Sequence, residues 1–331
     1  MAESITSKIA ENIYSFPIPL PDNPLRWLNC YVVKGREGER SLLIDTGFNR
    51  SECFEALMQG MEELGLKPED TDIFLTHLHS DHTGNAPKLH EMGSRIIISA
   101  IDKARLHKAR WSGRMQLFQR EGMPATLVDE VHRSNPGMLY APDLFDAIEV
   151  SNGDMLSYGG YDFRCLHTPG HTPGHMCLFD KKARLLFSGD HVLFDISPNI
   201  CVWEGFTDAV GTYMESLKMV MELDVDICLP AHRNRGEVTM AERAQKLIEH
   251  HIRRLNETER LIGENPGINA YDLAGLMSWR IRARSWDEFP PAQKNFALLE
   301  TLAHIDYLLI RGKVQRKMLE NSVNGYWPVQ E

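Results

Sequence analysis

The chain has 331 residues, of which 43% are hydrophobic and 25% are charged, and its formal net charge at pH 7 is −10. A chain of this length and composition can bury a sizeable core, which excludes a disordered protein. The acidic balance argues against a general nucleic-acid binder, because such proteins normally carry a basic surface.

The N-terminus and the cysteines indicate the compartment. The first residues lack a basic segment followed by an apolar core, and no apolar run reaches membrane-spanning length. The six cysteines stand singly and never as a Cys-x-x-Cys pair, which is typical of reduced thiols in a core. We therefore expect a cytoplasmic protein with no membrane partner.

Short apolar runs separated by polar turns occupy most of the first 237 residues and predict strands. Helical periodicity interrupts them at Glu52–Leu64 and Phe206–Met221. Strands interleaved with helices are typical of stacked sheets covered by helices, so we expect an α/β fold. The predicted strands are Asn12–Ile18, Leu28–Val33, Ser41–Asp45, Asp72–Thr76, Arg95–Ser99, Asp162–Leu166, His175–Phe179, Leu185–Ser188 and Asp226–Leu229.

Asp45 is the first polar side chain at the end of a predicted strand, and Gly47 permits the turn that follows. A carboxylate here either orients neighbouring metal ligands or closes an Asx turn. We favour the orienting role.

A dense group of metal-ligand residues follows the predicted strand at Asp72–Thr76. In an extended chain, His77 and His79 lie on the same side and can grip one ion. Asp81 and His82 follow where the chain turns, and a carboxylate beside an imidazole suits a second divalent ion or an open, water-bearing position. The stretch predicts a metal site.

Three later strand ends also carry residues of ligand type. His171 lies in a loop between two Pro-Gly turns, Asp190 follows the predicted strand at Leu185–Ser188, and His232 follows the last predicted strand. We select His171 rather than His175, which begins the next predicted strand and is interpreted as structural.

Residues 100–140 read as a helical insert in which cations recur. One hypothesis is a lid whose cations meet an anionic substrate; the alternative, which we favour, is a solvated helix face. The cations are Lys103, Arg105, Lys108, Arg110 and Arg114.

After Met240 the pattern becomes helical, and an apolar stripe from Phe296 to Leu309 predicts one amphipathic helix. A hairpin is expected from Val314–Leu319 and Val323–Trp327, with Asn324-Gly325 as a turn signal nearby. Helices followed by a hairpin resemble a winged-helix module. A basic run lies at 311–317.

With these motifs assembled, the chain resembles the metallo-β-lactamase superfamily, whose members share a four-layer αβ/βα sandwich. The resemblance implies a catalytic domain at 1–237 and a C-terminal helical, winged-helix-like domain at 238–331. The Pro-Gly-His-Thr motif is similar to that of glyoxalase II and related thioesterases or lactonases. The matching motifs, in order, are Asp45, the set His77, His79, Asp81 and His82, then His171, Asp190 and His232.

The resemblance implies two divalent ions, Zn²⁺ being expected and Mn²⁺ or Fe²⁺ the alternatives. Water bound to such an ion has a pKa near neutrality and supplies a hydroxide nucleophile. Asp81 and Asp190 are the expected catalytic residues. By resemblance, His77, His79 and His171 would hold one ion, Asp81, His82 and His232 the second, and Asp190 would bridge them.

Three enzymatic functions stay open. The favoured one is hydrolysis of a small, anionic thioester, ester or lactone. The first alternative is an endoribonuclease, for which the tail and insert would bind phosphates. The second is a persulfide dioxygenase with one iron. A homodimer is also left open.

Overall fold

The computed structural model describes residues 4–106, 112–280, 283–320 and 322–329. Lys108 and Arg110 of the predicted insert lie outside the described residues. The chain forms two compact units: residues 1–107, 140–198 and 217–244 make the first, and residues 108–139, 199–216 and 245–331 make the second.

The first unit contains two β-sheets. The spatial order of the larger sheet follows the chain from β1 to β7, and the order of the smaller one is β12-β11-β10-β9-β8. The larger sheet consists of β1 (Ser7–Ala10), β2 (Ile13–Pro19), β3 (Trp27–Val33), β4 (Ser41–Ile44), β5 (Thr71–Leu75), β6 (Arg95–Ser99) and β7 (Ile148–Val150). The smaller sheet consists of β8 (Met155–Tyr158), β9 (Tyr161–His167), β10 (Met176–Asp180), β11 (Leu185–Gly189) and β12 (Ile227–Pro230).

Alternation along the strands divides the apolar side chains between two cores. In β3, Cys30 and Val32 lie in the core on the outer side of the larger sheet, where α1 (Ser51–Glu63) also packs. Tyr31 and Val33 point the other way, into a core shared with the smaller sheet. Side chains of a strand alternate between its faces, so one strand serves both cores. The sheets therefore form a sandwich, as predicted.

The same edge of this sandwich collects the carboxyl ends of several strands. β4, β5 and β6 run parallel to one another in the larger sheet, and β11 runs parallel to β12 in the smaller sheet. Parallel strands end on the same edge, so the loops that follow them are neighbours. Besides α1, the unit contains α2 (Ser80–Thr83), α3 (Ala86–Glu91), α4 (Ala100–Lys103) and a 3₁₀ turn at Pro68–Asp70.

The second unit is mainly helical. The helices α8 (Ala209–Met221) and α9 (Met240–Glu264) include residues of both units. The remaining elements are α5 (Ser112–Arg120), α6 (Ala125–Ser134), α7 (Pro136–Leu139), α10 (Ala270–Leu276), α11 (Pro291–Ile310), β13 (Val314–Met318) and β14 (Asn324–Pro328). None of the helices in the described ranges is long and apolar enough to cross a membrane.

Three strands escaped sequence-based prediction: β1, β7 and β8. Each has three or four residues, and most of their side chains are exposed or half-buried. An edge strand with little buried surface leaves no apolar run in the sequence, so the pattern could not reveal these strands.

Two details of the C-terminal predictions differ from the structure. The predicted hairpin strands correspond to β13 and β14, but Asn324 and Gly325 pair with Met318 and Lys317, so the turn signal lies within the second strand. Helix α11 buries far more than one stripe, because nearly every side chain from 297 to 305 is inaccessible. The domain boundary at residue 237 stays a prediction.

Candidate metal centre

The loop after β5 places the first histidine pair as predicted. Nε2 of His77 lies 2.9 Å from Nδ1 of His79. His79 is extended, with φ −63° and ψ 149°, and is the N-cap of the short helix α2. Asp81 and His82 follow within that helix and are buried. One strand-loop-helix transition thus turns four ligand-type side chains inward.

Asp45 anchors this loop from the end of β4. Its Oδ1 accepts a hydrogen bond from the backbone N–H of Thr76 at 2.8 Å, and its Oδ2 accepts one from Nδ1 of His82 at 2.8 Å. With its Nδ1 proton donated, His82 presents the lone pair of Nε2 to the centre. The geometry supports the orienting role of Asp45 over a simple turn.

His232 is held in the same tautomer from the opposite side. Its Nδ1 donates to the carbonyl oxygen of Trp27 at 3.1 Å. Its Nε2 lies 3.3 Å from Oδ2 of Asp81 and 3.4 Å from Oδ1 of Asp190. An imidazole lone pair that faces two carboxylates is unfavourable unless a proton or a metal cation lies between them.

Asp190 lies among the histidines, with its Oδ2 3.5 Å from Nε2 of His171 and its Oδ1 3.7 Å from Nε2 of His82. The backbone N–H of Asp190 donates to Nε2 of His175 at 3.2 Å, and the hydroxyl of Thr168 lies 2.8 Å from Nδ1 of His175. His175 thus stays outside the ligand set, as interpreted from the sequence, and holds the backbone of Asp190.

All seven predicted ligands lie together. Their ligand atoms form three overlapping groups whose members lie within 4.8 Å of one another. Among the described residues, Nε2 of His82, Nε2 of His232 and Oδ1 of Asp190 are buried and make no hydrogen bond. Such atoms are costly to bury unless an ion satisfies them. The groups are His77-His79-His171, His77-His82-Asp190 and Asp81-His82-His232.

The electrostatics of the centre favour a cation. Burial disfavours the charged form of His82, yet the carboxylates of Asp45, Asp81 and Asp190 outweigh it and raise the pKa of His82 to about 10. The pKa of His77 is lowered, first by burial and then by the surrounding histidines. The carboxylates around His82 thus stabilise a positive charge, while the imidazoles around His77 stay neutral and keep lone pairs for a metal ion. Both are suitable for a divalent ion.

One buried carboxylate near the centre escaped sequence reasoning. Asp102 lies in α4, is 0% exposed and accepts hydrogen bonds from the backbone N–H groups of Leu78 and Gly174. Burial raises the pKa of the Asp102 carboxyl group to about 6, against the effect of its hydrogen-bond donors. The available signal was Ser99, three residues earlier, whose hydroxyl caps α4.

Two cations of the insert have partners. Nζ of Lys103 lies 3.1 Å from Oε1 of Glu149. The guanidinium group of Arg114 lies 5.1 Å from the centroid of the Trp203 ring. The solvated-face interpretation and the lid hypothesis both stay predictions.

Known proteins resemble this chain in sequence and in fold. A family model described as the metallo-beta-lactamase superfamily matches residues 28–232. An uncharacterised protein of Aquifex aeolicus is 30% identical over 172 residues, which cover 52% of this chain and 68% of that protein. The crystal structure of a beta-lactamase domain protein from Burkholderia ambifaria matches with a TM-score of 0.82 at 25% identity, covering 98% of this chain and 93% of that chain.

A further relative has a stated activity. An atrochrysone carboxyl ACP thioesterase of Aspergillus fumigatus is 27% identical over 212 residues, or 64% of this chain. The match spans only 39% of the thioesterase.

Proposed function

Because the chain belongs to the metallo-beta-lactamase superfamily, it is a metal-dependent hydrolase, and we propose that it cleaves a small thioester at a centre of two divalent ions. The predicted α/β fold of this superfamily is confirmed. The observation that carries the proposal is the convergence of seven ligand-type side chains with buried atoms that make no hydrogen bond among the described residues.

The ligands divide into two sets in this proposal. His77, His79 and His171 would hold the first ion, and Asp81, His82 and His232 would hold the second. Asp190 would serve both sets, which its position beside His82 and His171 supports. Mixed imidazole and carboxylate ligands suit Zn²⁺, and also Mn²⁺ or Fe²⁺.

The two ions, when bound, supply Lewis acidity and lower the pKa of water enough to provide a nucleophile at neutral pH. The chain supplies the orientation. Asp45 and the carbonyl oxygen of Trp27 keep Nε2 of His82 and of His232 directed inward. Burial raises the pKa of Asp81, but His82 and His232 outweigh that effect and lower the pKa below its ordinary value. Asp81 therefore stays ionised, which is the form that a divalent ion binds.

Thioesters are the favoured substrate class because the Aspergillus relative carries that activity in its name. Acyl-glutathione and acyl-coenzyme A are the carriers to test, because both are anionic: glutathione has two carboxylates, and coenzyme A has phosphates at the far end of its pantetheine arm. An ester or lactone would use the same carbonyl chemistry.

The endoribonuclease alternative depended on the basic run at 311–317. In the second unit, Arg311 pairs with Asp208 at 3.0 Å, and its guanidinium group lies 3.3 Å from the centroid of the Tyr307 ring. A cation neutralised in this way contributes little to phosphate binding. Lys313, Arg316 and Lys317 are exposed and leave phosphate binding open. Because Arg311 is neutralised by Asp208, we rank RNA cleavage second.

A substrate panel tests the proposal. The Zn²⁺-loaded protein is assayed against an acyl-glutathione, an acyl-coenzyme A, a lactone and a single-stranded RNA, with Asp190→Ala as the blank. We expect thioester hydrolysis that the blank and a chelator both remove. Cleavage of RNA alone, falling steeply with added salt, would overturn the thioester assignment. Oxygen uptake with a persulfide in an iron-loaded sample would identify the dioxygenase instead.

A further inference from the structure

Asp102 connects two segments of the first unit that are far apart in sequence. Its Oδ2 accepts hydrogen bonds from the backbone N–H of Leu78 at 3.0 Å and from the hydroxyl of Thr172 at 2.7 Å. Its Oδ1 accepts one from the backbone N–H of Gly174 at 2.7 Å. The backbone N–H of Asp102 donates to the Ser99 hydroxyl at 3.1 Å, which fixes the carboxylate at the start of α4.

The donors flank three of the proposed ligands. Leu78 lies between His77 and His79, and Thr172 directly follows His171. The carboxylate therefore joins the loop that carries two imidazoles to the loop that carries the third. The ring centroids of His77 and His171 are 4.8 Å apart, and those of His79 and His171 are 4.6 Å apart.

The contact between Gly174 and the start of α4 is too close to admit a side chain at position 174. A Cβ atom on Gly174 would lie 2.4 Å from Oγ of Ser99 and 2.6 Å from both the backbone nitrogen and Oδ1 of Asp102. Only a glycine lets the His171 loop approach α4 this closely. Asp102 itself belongs to none of the ligand groups found among the described residues.

We infer that Asp102 is a positioning residue, which holds His77, His79 and His171 at the mutual distances of one metal site. The inference rests on the proposed metal centre. Asp45 acts chiefly on the other half, because it binds His82 directly, but it also accepts a hydrogen bond from the hydroxyl of Thr76, which lies 3.1 Å from Nδ1 of His77. Asp102 and Asp45 are thus buried carboxylates that act on metal affinity through other residues, and Asp102 acts on the first set alone.

Substitution of Asp102 by Asn tests this division. The amide retains the shape but replaces one acceptor oxygen by an NH₂ group, which must face the N–H of Leu78 or of Gly174. We expect affinity at one of two metal positions to fall by up to 10- to 100-fold, the range for mutation of groups that support metal ligands. The measurement is a competition titration with Co²⁺, in which the visible absorption spectrum reports the ligand set.

Three further variants separate positioning from stability. Asp72→Asn removes a buried carboxylate on β5 that pairs with Arg40 and Arg95, away from the ligands, and should leave both metal affinities unchanged. Thr172→Val removes one donor to Asp102 and should weaken the same metal position by a smaller factor; it decides the matter if Asp102→Asn does not fold. Asp45→Asn should weaken the second position through His82 and, by a smaller factor, the first position through Thr76 and His77.

The outcomes distinguish the inference from the proposed function. Wild-type binding at both positions in folded Asp102→Asn, or in Thr172→Val if Asp102→Asn is unfolded, would overturn the positioning role. Equal weakening in Asp72→Asn would also overturn it, because the effect would then be one of general stability. A wild-type protein that binds no Co²⁺ or Zn²⁺ would overturn the metal centre itself.

Discussion

At the scale of single residues, Asp190 owes its position to its neighbours in the strand end. Gly189 has φ 50°, and a Cβ atom there would lie 2.7 Å from Nε2 of His175. This tight approach allows the backbone N–H of Asp190 to bond His175 and leaves its carboxylate for the histidines. The Asp190 side chain therefore contributes to the centre and little to the core.

Replacing Asp190 by alanine should abolish turnover while the fold is retained. Loss of a bridging carboxylate should reduce kcat/KM by more than about 100-fold, the upper range for residues that only support a ligand. Circular dichroism and thermal unfolding check the fold, and the thioester assay checks turnover. An active, folded variant would remove Asp190 from the mechanism.

At the scale of elements, the helix α2 is held against the loop that follows β4. The carbonyl oxygen of His82 accepts hydrogen bonds from the backbone N–H and the hydroxyl of Thr46, both at 2.8 Å. Gly84, at the end of the helix, has ordinary helical angles, with φ −56° and ψ −40°. Its lack of a side chain serves close approach, because a Cβ atom would lie 2.3 Å from the backbone nitrogen of Asn49.

Gly84→Ala should therefore destabilise the protein by about 1–3 kcal/mol, since rigid backbone must move to admit the methyl group. Gly263→Ala is the matched control. Gly263 lies in α9 with nothing within 4 Å of its Cβ position, so alanine should be neutral or stabilising by up to about 1 kcal/mol. Chemical denaturation measures both. Equal effects at the two sites would show that the close approach costs nothing.

At the scale of the whole molecule, the second unit contains a buried histidine pair remote in sequence from the metal motifs. His304 donates from Nδ1 to the carbonyl oxygen of Glu300 at 2.8 Å, and its Nε2 lies 3.2 Å from Nδ1 of His251. Burial lowers the pKa of His304 to about 3, and burial together with the neighbouring His304, His250 and Arg254 lowers the pKa of His251 well below its ordinary value. Both rings are neutral in the folded protein.

Acid should therefore lower the free energy of unfolding. A histidine in the unfolded chain is protonated below about pH 6.5, whereas His304 in the folded protein stays neutral down to about pH 3. Across that window the unfolded state binds more protons, so stability falls as pH falls, by up to about 1.4 kcal/mol per pH unit for each histidine. Urea unfolding between pH 7 and 4 measures the slope.

His304→Gln should make that slope shallower than in the wild type. The control is His132→Gln on α6, where the side chain is exposed and the slope should not change. If wild type and His304→Gln lose stability in parallel, the acid sensitivity lies elsewhere in the chain.

Much of the centre was predictable because ligand chemistry depends on residue type. An imidazole or carboxylate at the end of an apolar run is visible in the sequence, and the structure brings together all seven residues chosen on that basis. The central strands were also predictable, because their side chains are apolar on both faces and form continuous apolar runs in the sequence. The edge strands β1, β7 and β8 have no such apolar run and were not predicted.

The sequence by itself determined the fold class, the ligand types and their order, because these depend on side-chain chemistry and short-range periodicity. Only the tertiary structure decided which groups support them. Asp102 lies 24 residues from Leu78 and 70 from Thr172, and it meets both only because the two sheets bring their strand ends to one edge. A hydrogen bond between distant loops has no local period or motif, so its partners become visible only when the chain has folded.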